Sequence, residues 1–337
     1  MTYSAFPLHI GQILSGKRCQ YKLTDHLPSG WGVNNVFKAE ILGETSGRAL
    51  KWATIKTASP RMQATLKNEL DEYLKPNVSS CQHIRPLLDI ITTSGDEAIP
   101  ENISKASATP HHFLPSQTRK KDLVLSEAIL TGILRALVLF EFNGRVHTDL
   151  KAGNILINCP KPAMYEVMLG DLGSAMDNGF DDEPLGPPGL CAPEVFEGKG
   201  YYHGSDIWAL GMTLLRQFNQ NSFVYKLPPG SHYPETIMIA QLMRLYPNWV
   251  PQPVEGKICM DMPLQEIFAK ASDVKLLLPI APLEQQLEDM NAPKELKDML
   301  RLLLSLELQK RSSASMILQS KEYIALKKAA KQYMTYV

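Results

Sequence analysis

The chain has 337 residues, 44% hydrophobic and 21% charged, a composition that can bury a core and that excludes a disordered protein. Lysine plus arginine and aspartate plus glutamate balance at 35 each, so net charge gives no case for direct nucleic-acid or membrane-surface binding, and neither is expected. Cys19, Cys81, Cys159, Cys191 and Cys259 are widely spaced and never form a C-x-x-C pair, the pattern of free thiols in a reducing compartment rather than of disulfides or a zinc site.

The first twenty residues read as a lead-in; "MTYSAFPLHIGQIL" lacks the basic start and long apolar core of a signal peptide. From Tyr21 to about Ile91 the texture is that of strands with one helix. "RALKWATIKTA" alternates with period two and predicts a strand. "RMQATLKNELDEYLK" is built of helix formers between Pro60 and Pro76, and "HIRPLLDIITT" reads as another strand. Residues 92–122 are polar and rich in Pro, Ser and Thr, and read as a linker without a strand. Leu123–Phe140 is a long apolar run interrupted by Glu127 and Arg135, expected as a core helix rather than a membrane span. Further helices are expected at Ser205–Gln217, Glu235–Leu245, Leu283–Met290 and Lys294–Leu308, with short strands at "NILI" and "YEVMLG". The outline is α+β: a small strand-containing lobe, about 21–105, and a larger helical lobe, about 122–337.

"VHTDLKAGNILI", Val146 to Ile157, crowds His147, Asp149, Lys151 and Asn154 between apolar runs. A strand pair follows and ends in "GDLGSA" with Asp171. This spacing matches a template for phosphoryl transfer. One Asp takes the proton of the attacking hydroxyl, an Asn and a second Asp hold Mg²⁺ against nucleotide phosphates, and a Lys offsets the charge being moved. Such chemistry needs charge in fixed geometry more than covalent help.

Together these motifs resemble the eukaryotic protein kinases. "HTD" stands where that family has His-Arg-Asp, "DLG" where it has Asp-Phe-Gly, and "APE" at Ala192–Glu194 closes an activation segment. "SDIWALG" is similar to the family's buried helix, with Asp206 as anchor, and Arg311 to its late arginine, the partner of Glu194. The Thr of "HTD" and the Leu of "DLG" resemble the SR-protein kinases and their fungal relatives, and Lys151 fits the Ser/Thr pattern. The resemblance covers about Tyr21 to Ile324. It implies the two-lobed kinase fold, ATP and Mg²⁺ as cofactors, and a protein substrate with Ser in Arg-rich segments. Asp149 and Lys151 would be catalytic, and Asn154 and Asp171 the metal ligands. An intracellular monomer, cytoplasmic or nuclear, is the corresponding expectation.

The smaller lobe matches less well. Gly30 and Gly32 sit where a Gly-rich loop should cover the phosphates, with Val36 after it, but Pro28 takes the place of the first glycine. By the register the resemblance implies, the strand lysine is Lys56, with Lys51 the alternative, and its helix partner is Glu69, with Glu72 the alternative. The strand that leads to an adenine-binding hinge is not found in 92–122. These departures keep a second reading open, a pseudokinase that acts as a binding or scaffold module. A small-molecule phosphotransferase ranks last, because "APE" and the Asp-x-Trp helix are present. The activation segment, Asp171 to Glu194, is short, and its prolines rather than phosphorylation are expected to fix it.

Overall fold

A computed structural model describes residues 8–27, 34–42, 52–58, 63–92, 100–105, 119–180, 189–218, 234–259, 262–274 and 279–334. The chain divides into two compact units, Met1–Pro110 with Met168–Ala175, and His111–Val167 with Met176–Val337.

The first unit is a six-stranded antiparallel sheet with a helix on it. The strands are β1 (Ile13–Ser15), β2 (Gln20–Leu27), β3 (Asn34–Leu42), β4 (Trp52–Ala58), β5 (Leu87–Thr92) and β6 (Pro100–Lys105), in the order β1-β2-β3-β4-β6-β5. Period-two alternation sends Tyr21 and Leu23, Phe37 and Ala39, and Ala53 and Ile55 to one face. There they form a core with Leu14 and Ile91. Two expectations are corrected. Residues 8–20 are not simply a lead-in, since β1 joins the sheet through Ile13↔Lys22 and Leu14↔Tyr21. The polar stretch does contain a strand: β6, "PENISK", pairs with β4 at Lys56↔Asn102 and with β5 at Ile90↔Asn102. Backbone pairing on both sides holds it in place, a cause that side-chain patterning does not reveal.

Asp89 on β5 draws the sheet's two ends together. Its carboxylate accepts from Lys17 N (3.1 Å), Arg18 N (2.8 Å), Cys19 N (3.3 Å) and the Tyr21 hydroxyl (3.1 Å), all in or beside the β1–β2 turn. Gly16 leaves room for it: a Cβ there would lie 2.3 Å from Asp89 Oδ2. The sheet therefore curls until its first turn meets its last strand.

Helix α1 (Gln63–Leu74) buries Leu66, Glu69, Leu70 and Tyr73, the i, i+3, i+4, i+7 stripe of an amphipathic helix with a glutamate set into it. The short α2 (Pro76–Ser79) follows, started by its proline.

The second unit is mainly helical. Helix α3 (Arg119–Phe142) is long and apolar enough to cross a membrane by length and composition, yet much of it is buried within the unit, Leu123, Leu130, Ile133 and Leu134 completely. Gly132 permits close packing, since a Cβ there would come 2.7 Å from that of Val167. Then come β7 (Arg145–Val146), the hairpin β8 (Ile155–Lys161) and β9 (Met164–Leu169), β10 (Met176–Asp177) and the single turn α4 (Pro193–Phe196). Helix α5 (His203–Phe218) is buried at every position from Ser205 to Leu215, as expected of a helix at the centre of a core. Around it lie α6 (Pro234–Leu245), the hairpin β11 (Ile258–Cys259) and β12 (Met262–Pro263), α7 (Leu264–Asp273), α8 (Leu283–Asp289), α9 (Lys294–Leu303), α10 (Ala314–Ile317) and α11 (Lys321–Met334). The helix expected to run to Leu308 stops at Leu303, and a 3₁₀ turn covers Leu308–Lys310.

Candidate active site

In the first unit the buried glutamate of α1 finds its counter-charge on β4. Lys56 Nζ lies 2.7 Å from Glu69 Oε2 and 2.7 Å from Asp171 Oδ1. Asp171 reaches this unit because Leu169 N donates to His83 O and Arg85 N donates to Leu169 O, each at 2.8 Å. Burial works against the charge on Lys56, but the carboxylates of Glu69 and Asp171 outweigh it and hold its pKa above the ordinary lysine value. Burial also raises Glu69, with Lys56 opposing. The Asp171 side chain keeps 39% of its exposure, so this end of the ion chain stays open to solvent. Lys51, Gly30 and Gly32 lie outside the described residues, and Glu72 pairs with Lys75 at 2.8 Å. Val36 stands opposite Lys56 in the β3–β4 register.

Asn68 is a contributor that the motifs do not reveal. Its Nδ2 donates to Gly173 O (2.9 Å) and Ala175 O (2.8 Å), which pins the turn carrying Asp171. The only sequence hint is its place beside Glu69. Asp171 has φ +61°, and Gly173 packs so closely that a Cβ would lie 2.8 Å from Thr65 Cγ2.

In the second unit the loop after β7 gathers Asp149, Lys151 and Asn154. Lys151 Nζ donates to both Asp149 carboxylate oxygens, at 2.9 and 2.7 Å. Asn154 Nδ2 donates to Asp149 O (2.7 Å) and Oδ2 (3.0 Å), which turns the Asn154 amide oxygen away from Asp149. Beneath them His147 is fully buried, its ring 5.7 Å from that of Phe140, a bracing position rather than that of a base. Thr148 has φ +62°, a costly conformation for a β-branched residue. Asp206 of α5 holds it, accepting from His147 N (2.7 Å) and Thr148 N (3.0 Å). Burial pushes the Asp206 carboxyl up, and His147 with these backbone donors counters that push.

Glu194 and Arg311 form a closed pair. Arg311 Nη1 and Nη2 meet Glu194 Oε1 and Oε2 at 2.8 and 2.9 Å, and the side chains are 0% and 4% exposed. The remaining guanidinium donors go to the carbonyls of Ser305, Gly204 and Leu306, while Ser205 Oγ donates to Glu194. Beside Glu194, burial pushes the Cys191 thiol up to about 12, so it is no nucleophile.

Among the described residues no three His, Cys, Asp or Glu side chains cluster as a metal cage. Asp171 presents a partly exposed carboxylate in the first unit and Asn154 a side-chain amide in the second, each the kind of oxygen donor that Mg²⁺ accepts beside phosphates.

The chain is similar over 71 residues (21% of it) to the serine/threonine-protein kinase pkpA of Phycomyces blakesleeanus, with 44% identity. It is 40% identical over 91 residues (26% of it) to the serine/threonine-protein kinase TAO3 of Rattus norvegicus. Over 154 residues (44% of it) it is 29% identical to the serine/threonine-protein kinase US3 of human herpesvirus 1. The matches span 11%, 10% and 31% of those proteins respectively. The protein kinase domain family itself matches residues 32–324, nearly the whole of the two units, and the chain belongs to that family.

Proposed function

We propose that the chain transfers the γ-phosphate of ATP to serine or threonine hydroxyls of protein substrates, with Mg²⁺, and that its preferred sites are serines in Arg-rich segments. The observation that carries the reading is the ion chain Glu69–Lys56–Asp171, with both contacts at 2.7 Å. A lysine held between two carboxylates is placed to meet nucleotide phosphates, and Asp171 to present a hard oxygen ligand.

Each residue then has a task. The Asp149 carboxylate orients the substrate hydroxyl and takes its proton. Lys151, already on that carboxylate, offsets charge on the transferring group. Asp171 and Asn154 would hold Mg²⁺ through oxygen atoms, and the ion would supply positive charge against the nucleotide phosphates. Thr148 and Leu172, with the neighbouring motifs, support the narrower reading of Ser in Arg-rich substrates by their likeness to the SR-protein kinases.

The test measures γ-phosphate transfer to a Ser/Arg-rich peptide, and to the same peptide with Arg replaced by Ala, by the wild type and by Asp149→Asn. Transfer by the wild type, a loss of about 10²–10⁴-fold in Asp149→Asn, and preserved ATP binding are expected. Saturating ATP and Mg²⁺ at 100 times Kd should stabilise the fold by about 2.7 kcal/mol. Equal rates on both peptides would remove the Arg-rich preference. Failure to bind ATP and to transfer phosphate would leave a pseudokinase.

A further inference from the structure

Helix α11 carries four lysines against one glutamate, in a chain whose net charge is zero. Its buried stripe is Tyr323, Leu326 and Ala330, at 4%, 0% and 1% exposure. That stripe is tied to α3: the Tyr323 hydroxyl and Thr131 Oγ1 lie 2.7 Å apart, and Thr131 Oγ1 donates to Glu127 at 2.8 Å. The orientation of the opposite face is thereby set. Lys321, Ile324, Lys328 and Lys331 share that face by helical periodicity, and Lys327 stands at its border with its ammonium over the Tyr323 ring. The Lys321 side chain is 92% exposed and Ile324 58%.

Basic side chains on other helices of this unit have carboxylates one turn away. Lys270 meets Glu266 on α7, and Lys294 and Arg301 meet Asp298 on α9. Pairs at i, i+3 and i, i+4 support a helix. Helix α11 forgoes them. No acidic residue stands three or four positions from Lys321, Lys327 or Lys328, and Glu322 approaches Lys321 only to 3.9 Å. Among the described residues no carboxylate pairs with Lys327 or Lys328. The result is a positive face with an aliphatic side chain set into it.

The chemistry of that face narrows what can cover it. A helix that lies on a membrane needs its apolar face free, and that of α11 is buried in the unit. Single-stranded nucleic acid is held on aromatic platforms, and no aromatic ring is exposed among the described residues of this helix. An Arg-rich substrate has the same sign of charge and is repelled. A segment with carboxylates for the lysines and an aliphatic side chain for Ile324 satisfies both features. The run from Lys321 to Lys331 is about 15 Å long, which about five extended residues would cover.

We propose that the exposed face of α11 is a docking surface for an acidic segment of a partner protein, its carboxylates on Lys321 and Lys328 and an aliphatic side chain on Ile324. Docking there uses no part of the phosphotransfer machinery.

The experiment takes the full chain and a fluorescein-labelled peptide with a glutamate pair on each side of one leucine, read by anisotropy at low salt. Peptides with Gln for Glu and with Ala for Leu run beside it. The variants are Lys321→Glu with Lys328→Glu, Ile324→Ala, and a control of equal charge change, Lys294→Glu with Lys310→Glu. The first pair should weaken binding at least about tenfold and Ile324→Ala about threefold, with the control within about twofold of the wild type. The Gln peptide should not bind, and the Ala peptide should bind about threefold more weakly. Lys321→Gln with Lys328→Gln, which adds no negative charge to the helix, should lose about fivefold with an unchanged thermal melt. No binding by the wild type, an equal loss in the control pair, or indifference to both the peptide's leucine and Ile324→Ala overturns the inference. Tighter binding to oligouridylate or to phosphatidylserine vesicles than to the peptide overturns it as well.

Discussion

Two buried ion pairs in this molecule have opposite characters. Glu194–Arg311 is sealed, with both side chains at or below 4% exposure and all five guanidinium donors matched. Glu69–Lys56–Asp171 is sealed at one end and open at the other, from 5% exposure at Glu69 to 39% at Asp171. The first arrangement leaves the pair no other partner and suits a structural tie. The second keeps a charged group in contact with solvent, where a substrate can exchange contacts with it. Burial alone does not separate structural charge from functional charge; the gradient of exposure along the chain of contacts does.

The comparison can be broken at either pair. Asp171→Ala should lower phosphotransfer by about 10²–10³-fold, the usual cost of removing one preorganised electrostatic group, with a melting temperature close to that of the wild type. Steady-state rates beside a thermal melt would decide it, and an active Asp171→Ala variant would refute the assignment. Arg311→Ala should do the reverse. It leaves Glu194 buried and unpaired at a cost of about 3–5 kcal/mol, visible in denaturant or thermal unfolding.

Asp89→Ala sharpens the comparison with a buried carboxylate that has no cationic partner among its bonds. Its donors are backbone N–H groups and a tyrosine hydroxyl, and stranding them should cost about 1–3 kcal/mol in chemical denaturation. At the other limit, Arg301 meets Glu284 at 2.9 Å with 36% and 65% of the two side chains exposed. Arg301→Ala should shift stability by less than about 1 kcal/mol, and a shift as large as that of Arg311→Ala would undo the argument from burial.

What was legible in the sequence follows from how local its cause is. The loop of Asp149, Lys151 and Asn154 makes its contacts within five residues, and its motif reads directly. Helix α1 showed because period-3.6 burial is written in consecutive residues, whereas α5, buried at every position from Ser205 to Leu215, showed through the likeness of "SDIWALG" to the family's buried helix. Lys56 and Glu69 could be named as candidates, but the choice over Lys51 and Glu72 rests on an expected register. Strand β6 was missed because pairing with two neighbours, not an apolar pattern, makes it a strand. Asp89 was missed because its partners lie about seventy positions away, and Asn68 because its targets lie 105 and 107 positions on. A polar side chain that bonds to distant backbone leaves no trace in composition or periodicity.

The grip of Asp89 on the first turn has a consequence for solubility. An open sheet presents two unpaired edges, each a template for another chain's strand. By drawing β5 toward the β1–β2 turn, this carboxylate brings the two edges near each other and leaves each less room for an incoming strand. Loss of Asp89 should therefore show first as concentration-dependent self-association of the folded chain, at temperatures well below those at which it unfolds.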